Sequence, residues 1–348
     1  MLRLTIIGCG WAGERHFLAA REFPEEIEVT TLVDSDKEFL EKQNKEWKVA
    51  HVYTDYREAL KQDDVHAVVI ALPHNLHCRS VVEAAQAGKH ILCEKPMAMN
   101  VAEADRMNEA AEKNKVTLMI GESVRYQALS MLIKEQLEKR VLGPLIAAKM
   151  SFMPGRSHDT YGYPGRRAWL ADKRGSGGGI WMTNGIHQVS AARMFFGEVE
   201  SIKAAEHHAP KFRSDPQFPE SLEGTVSALL TFQGGLPLHM LVSPEIGHWG
   251  RFSEVVIHGA EATLRADWSK KDCIEIYRSK EEHQTIPVQS DEPNRHFVRQ
   301  MREFVDALRE GRGPLSSGRS ERESLAVVEA GYRSMASGKE VALSEFAP

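Results

Sequence analysis

The sequence predicts an α/β protein: a doubly wound parallel sheet at the N-terminus, then a second α/β domain with a largely antiparallel sheet. Three observations predict it. Apolar runs of strand length alternate with helical stretches up to about residue 122. A glycine-rich turn separates the first run from the first helix. Beyond Glu198 the rhythm changes to short strands joined by tight turns.

Residues 4–7 form the first buried strand, and a helical stretch follows the glycine turn as far as Arg21. Residues 29–33, rich in β-branched side chains, make the second strand, and 36–47 a helix. The continuous apolar run 67–72 is a strand; 77–87 is a helix that stops at Gly88. Strand 90–93, helix 101–113 and strand 116–120 complete the alternation. Strands and helices alternating at this spacing imply a parallel sheet covered on both faces, and right-handed crossovers make it doubly wound. A helix over 129–139 then ends near Gly143–Pro144, and a loop rich in Gly, Arg and Tyr runs from 154 to 179. Strands follow at 225–232, 236–242, 254–257 and 274–277, with hairpin turns at Gln233–Gly234–Gly235 and Gly259–Ala260. Helices over 296–309 and 320–336 close the chain. The expected domains are residues 1–122 and 123–348.

Length and composition agree with two domains. The chain has 348 residues, 42% hydrophobic and 27% charged, enough to bury a substantial core. A net charge of −5 supplies no basic footprint for nucleic acid and no polybasic membrane patch. The run 67–72 is too short to span a bilayer, and the first strand leaves no room for a signal peptide, so a cytoplasmic location is expected. Four cysteines (Cys9, Cys78, Cys93 and Cys273) without a CxxC pair predict neither a disulfide framework nor a zinc site.

Gly8–Cys9–Gly10–Trp11–Ala12–Gly13 lies between the first strand and the first helix. In a dinucleotide fingerprint the first glycine makes a tight turn, the second lets backbone approach the pyrophosphate, and the third packs helix on strand. The helix N-terminus then offers N–H groups to the phosphates. Asp34 ends the second strand, where a carboxylate accepts hydrogen bonds from the adenosine ribose and repels a 2′-phosphate. NAD is therefore expected as cofactor, with NADP left open by the neighbouring Ser35–Asp36–Lys37.

The run Ala87–Gly88–Lys89–His90–Ile91–Leu92–Cys93–Glu94–Lys95–Pro96, with the fingerprint and the later Gly177–Gly178–Gly179 leading to His187, resembles the Gfo/Idh/MocA oxidoreductases. The likeness extends to the C-terminal residues 334–341. It implies a Rossmann domain and a C-terminal α/β domain whose open-faced sheet often forms a dimer contact, hence a homodimer or homotetramer. It also places Lys95 by the nicotinamide and the substrate hydroxyl, with Glu94 beside it. A cation there stabilises the alkoxide that develops as an alcohol loses hydride. Leu72–Pro73–His74–Asn75–Leu76–His77 resembles the family turn that lies against the cofactor, and Arg125–Tyr126 the pair at the cofactor and substrate mouth. His74 and His77 lack a Cys or Asp cluster, so no metal is expected.

The family pattern after the glycine run is GGGxxxDxGxHxxD. His187 matches its histidine, while Thr183 and Ser190 stand where the two aspartates would be. In a regular helix these three share one face. His187 suits proton exchange near neutrality; Thr183, Asn184 or water would then set its tautomer. Trp169 follows Arg166–Arg167 in the loop, where Arg156, Arg166, Arg167, Lys173 and Arg174 outnumber Asp159 and Asp172. Such arginines serve a carboxylated substrate, a subunit contact or a solvated surface. Tyr161, Tyr163 and His158 order this loop, and His248–Trp249 are candidates to line the pocket.

The expected activity is NAD-linked hydride transfer with a secondary alcohol of a sugar, cyclitol, related polyol or sugar acid. The expected catalytic residues are Lys95, His187 and Thr183, with Arg166, Arg167, Trp169 and Asn184 toward the substrate. The alternatives are oxidation of a carboxylated cyclic diol, an NAD-dependent elimination without net redox change, and a dinucleotide-binding regulator without turnover. The expectation is that Lys95 and His187, from separate domains, meet at the nicotinamide.

Overall fold

The structure is a computed structural model describing residues 1–154, 165–208, 222–245, 252–270, 272–289 and 294–347. In chain order it runs β1 (Leu2–Ile7), α1 (Trp11–Ala20), β2 (Ile27–Val33), α2 (Lys37–Trp47), β3 (His51–Tyr53), α3 (Tyr56–Leu60), β4 (Ala67–Ile70), α4 (His74–Gln86), β5 (His90–Glu94), α5 (Val101–Lys113), β6 (Leu118–Gly121), α6 (Ala128–Glu138) and β7 (Leu145–Met153). There follow α7 (Lys173–Ser176), a π-helical turn (Trp181–Gly185), α8 (Ile186–Phe196), β8 (Val199–His207), β9 (Thr225–Phe232), β10 (Pro237–Val242), β11 (Phe252–Gly259), β12 (Thr263–Asp267), β13 (Cys273–Tyr277) and β14 (His283–Pro287). Last come α9 (Arg295–Glu310), α10 (Gly318–Ser337) and β15 (Val341–Ala342).

The chain divides into two compact units, Met1–Ser123 with Glu292–Glu323 and Val124–Asp291 with Ser324–Pro348. The first holds a six-stranded sheet in the order β3-β2-β1-β4-β5-β6, every pair parallel. Its central strands are apolar throughout because helices cover both faces: Leu4, Ile6, Val68, Val69, Ile70, Ile91 and Leu92 are fully buried. Strand order reverses between β1 and β4, and the carboxyl ends of strands at such a switch point form the ligand crevice of doubly wound sheets.

The sequence reading puts residues 292–323 in the second domain, whereas they lie in the first unit. Two contacts explain it. Helix α9 packs its apolar stripe on α1, with Phe297 edge-on to Trp11 and to His16, and its Arg302 grips Glu26 at 2.7 and 3.0 Å. Ser316 then hydrogen-bonds along the edge of β6: Ile120 N–H donates to its carbonyl at 2.8 Å, and its hydroxyl to the Ile120 carbonyl at 2.7 Å. An open edge is thereby paired.

Among the described residues the second unit holds a nine-stranded sheet, in the order β14-β13-β12-β11-β7-β10-β9-β8-β15. All pairs are antiparallel except β7 with β10. Gly234 and Gly235, at φ +88° and +86°, make the β9–β10 hairpin turn. Alternation sorts the two faces. Val226, Ala228, Leu230, Phe232, Leu238, Met240, Val255 and Ile257 are buried on one. The other carries polar side chains, among them Lys149 to Glu254 at 3.3 Å and Ser227 to His239 at 3.0 Å, with Leu229 and Phe252 exposed. Among the described residues, no helix is long and apolar enough to cross a membrane.

Candidate active site

In the first unit the backbone builds a cradle at the switch point. Gly8 closes β1 at φ +93°, and a Cβ there would stand 2.3 Å from the Ala71 carbonyl oxygen that follows β4. At Gly13 a Cβ would stand 1.9 Å from the Gly8 carbonyl oxygen, so α1 lies hard against the turn. A Cβ at Gly10 would meet nothing within 4 Å. The first and third glycines are thus demanded by the protein's own packing. The second, at the N-cap of α1, leaves room for a ligand.

Asp34 is buried beside this turn. Its Oδ2 accepts from Cys9 N–H at 3.0 Å and its Oδ1 from Asp36 N–H at 3.0 Å, while Asp36 caps α2. The carboxylate is therefore fixed at the end of β2, where a ribose binds in this fold. Trp11, the first residue of α1, is 53% exposed, and the Arg15 guanidinium lies over its ring. Ala12 occupies the next position of the same turn. A cradle open at Gly10, a helix N-terminus and a fixed carboxylate together fit a dinucleotide.

Lys95 stands just past the carboxyl end of β5, half-buried, on the edge of the sheet that carries the glycine turn. Glu94 before it is buried and accepts from the Lys95 N–H at 3.1 Å. Leu72 and Pro73 lead from β4 into α4, whose first residue, His74, is buried. His77 corrects an expectation. Its ring is wholly buried, with Nδ1 2.9 Å from the Pro96 carbonyl oxygen and Nε2 2.8 Å from that of Leu72. Its ring braces the two loops that follow β4 and β5. Burial pushes its pKa down, with both carbonyls pulling the other way. Among the described residues no group of three His, Cys, Asp or Glu side chains is arranged to hold a metal.

In the second unit the segment carrying His187 departs from a regular helix. The turn Trp181–Gly185 is π-helical, and α8 begins at Ile186. The wider turn changes the residue spacing between Thr183 and His187 from that of an unbroken α-helix. Thr183 donates its hydroxyl to the Gly179 carbonyl at 2.8 Å and lies 3.1 Å from Asn184 Oδ1. His187 and Asn184 are half-buried. Ser190 is buried and accepts from Arg125 Nε at 2.8 Å.

What holds this turn is a carboxylate far away in sequence. Glu223, buried just before β9, accepts from Gly179 N–H at 2.9 Å, Trp181 N–H at 2.8 Å and the Tyr332 hydroxyl at 2.8 Å. It thus meets the donors that a helix start leaves unpaired. Trp181 donates its indole N–H to the Val328 carbonyl at 3.1 Å. Gly178 leaves space for Tyr332, since a Cβ there would stand 1.9 Å from the phenol oxygen.

Residues 2–122 match the oxidoreductase family with NAD-binding Rossmann fold, and residues 134–343 match that family's C-terminal alpha/beta domain. The chain belongs to the Gfo/Idh/MocA oxidoreductase family. It is 28% identical to D-apiose dehydrogenase of Paraburkholderia graminis, over 97% of this chain and 89% of that protein. It is 23% identical to myo-inositol 2-dehydrogenase of Thermotoga maritima, over 99% of both chains. Among solved structures, levoglucosan dehydrogenase in complex with NADH and levoglucosan superposes with a TM-score of 0.89 at 20% identity, covering 98% of this chain and 99% of that one. The N-terminal unit of this oxidoreductase is accordingly a NAD-binding Rossmann domain.

Arg166, exposed, and Arg167 and Trp169, both half-buried, lie on the 3₁₀ stretch Gly165–Ala171. Arg174 is held by Asp172, its guanidinium 3.0 Å from Oδ2, and those bonds pull the Asp172 carboxyl below the usual range. Arg156, His158, Asp159, Tyr161, Tyr163, His248 and Trp249 lie outside the described residues. The sequence reading did not single out His16, which bonds Glu94 in the first unit, or Glu223 and Tyr332, which hold the π turn in the second. A polar His16 on the apolar face of α1 was a visible signal; Glu223 and Tyr332 gave none, since their partners are remote in sequence.

Proposed function

We propose that this protein is an NAD-dependent dehydrogenase acting on a secondary alcohol of a sugar, cyclitol or related polyol. The observation that carries the proposal is the carboxyl edge of the first sheet. A glycine cradle open at Gly10, the fixed Asp34 carboxylate and the Lys95 ammonium all stand on it. Bound NAD supplies the hydride acceptor. Gly8, Gly10, Gly13 and the start of α1 hold the pyrophosphate, and Asp34 the adenosine ribose. Lys95 donates a hydrogen bond to the reacting oxygen and stabilises the charge that grows there as the C–H bond breaks. His187 takes up the hydroxyl proton in oxidation and returns it in reduction. Thr183, its hydroxyl committed to Gly179, orients rather than ionises.

The substrates named for the relatives, D-apiose, levoglucosan and myo-inositol, are polyhydroxylated and uncharged, which supports a neutral polyol over a carboxylated one. The polar face of the nine-stranded sheet, with Leu229 and Phe252 exposed on it, is the surface proposed for a homodimer or homotetramer. The test is NADH formation across a panel of aldoses, anhydrosugars, inositols and sugar acids. Reduction of NAD by at least one neutral polyol supports the proposal; turnover confined to carboxylated substrates, or none on any, contradicts it.

A further inference from the structure

Behind Lys95 lies a buried charge that the proposed reaction leaves unused. The Glu94 carboxylate, on a residue only 9% exposed, is held from three sides. From α1, His16 Nε2 lies 2.8 Å from Oε1. From the chain after β5, the Lys95 N–H donates to Oε2 at 3.1 Å. From β6, Gly121 leaves the space: a Cβ there would stand 3.1 Å from Oε1 and 3.2 Å from the carboxyl carbon. His16 is fully buried, with the Phe297 ring edge-on at 5.0 Å between centroids. Its second nitrogen, Nδ1, is buried with no hydrogen-bond partner. An imidazole with one nitrogen in apolar surroundings and the other on a carboxylate presents Nε2–H as the donor. A buried polar atom left unsatisfied in a native fold calls for an explanation beyond packing.

We infer that His16 is a positioning residue for Lys95, acting through Glu94. Its N–H orients the carboxylate, which fixes the backbone from which the Lys95 side chain leaves and keeps a negative charge beside the ammonium. This rests on the assignment of Lys95 to the reacting oxygen. The groups that feel the Glu94 charge are His16 from α1, His77 from α4, and Cys93 and Lys95 from its own stretch of chain. Burial alone would push the Glu94 carboxyl up. The His16 hydrogen bond, with the Lys95 charge and N–H, outweighs burial and holds it below the usual carboxylate range.

The test reads Lys95 directly, without turnover. The full-length protein is labelled at pH 8 with trinitrobenzenesulfonate, and the Lys95 peptide is quantified by mass spectrometry against the exposed Lys37. His16→Phe fills the same space without a donor, Glu94→Gln keeps the shape without the charge, and His16→Gln keeps an N–H near Nε2. Glu94→Gln removes the charge beside the ammonium and His16→Phe frees the carboxylate from the backbone it fixes, so Lys95 labelling should rise about fivefold in both. It should stay within about twofold of wild type in His16→Gln, where the donor is restored. Lower melting temperatures in all three with an unchanged Lys95 to Lys37 ratio would mean that His16 only packs, and would overturn the inference. Should His16→Phe fail to fold, His16→Leu, which likewise lacks a donor, decides in its place. Full NAD-linked turnover in Lys95→Ala would defeat the proposed reaction while leaving this labelling result intact, so the two failures are distinguishable.

Discussion

In the first unit the chain shapes its ligand cradle with local backbone: three glycines within six residues, one strand end and one helix start. In the second, the turn that carries Thr183 and leads to His187 is held by Glu223, which accepts from two of its N–H groups, and by Tyr332, whose hydroxyl donates to that carboxylate; both are distant in sequence. The contrast teaches that a fixed chemical task, gripping phosphates, can be met by a short motif. The turn of the second unit depends instead on packing between residues remote in sequence.

The two arrangements should break differently. Gly8→Ala forces φ +93° on a residue with a Cβ 2.3 Å from a backbone oxygen. It should cost about 3–5 kcal/mol of stability and abolish NAD binding, read by urea unfolding and by fluorescence titration. Glu223→Ala strands two buried N–H groups and a phenol, for a loss of about 3–4 kcal/mol. Unlike the glycine change, it should leave NAD affinity within about threefold of wild type at a temperature where the variant is folded. An equal loss of NAD binding in both would erase the distinction between the units.

Asp34→Ala should weaken NAD about ten- to a hundredfold, by removing a charged acceptor from the ribose, while NADP affinity holds or improves. The smallest effect is a pH dependence. The Glu94 carboxyl is held below its ordinary range in the folded protein. Its contribution is therefore present above the unfolded carboxylate value and is lost as pH falls through the folded one. Glu94→Gln should be less stable than wild type at pH 7, with the gap narrowing below about pH 4 in denaturant melts at successive pH values.

Much of the first unit was legible because its physics is local. Glycine positions, the strand-ending Asp34 and the Glu94–Lys95–Pro96 run all declare themselves within a few residues. The return of residues 292–323 to that unit was not, since an amphipathic helix such as α9 does not say which surface it covers. The same limit hid what holds the π turn: Glu223, which accepts from Gly179 and Trp181 N–H, is remote in sequence. His77 was legible as a residue of the loop but not as its brace, because the two carbonyls it meets, Leu72 and Pro96, come from different strand ends.

Lys95 is the residue on which the proposed reaction turns. The direct measurement is the rate of NADH formation at 340 nm with a polyol that the wild-type protein oxidises, compared with Lys95→Ala at matched NAD saturation. Loss of the ammonium should lower kcat about a hundred- to a thousandfold with NAD affinity nearly unchanged. A variant that turns over as fast as wild type would contradict the assignment.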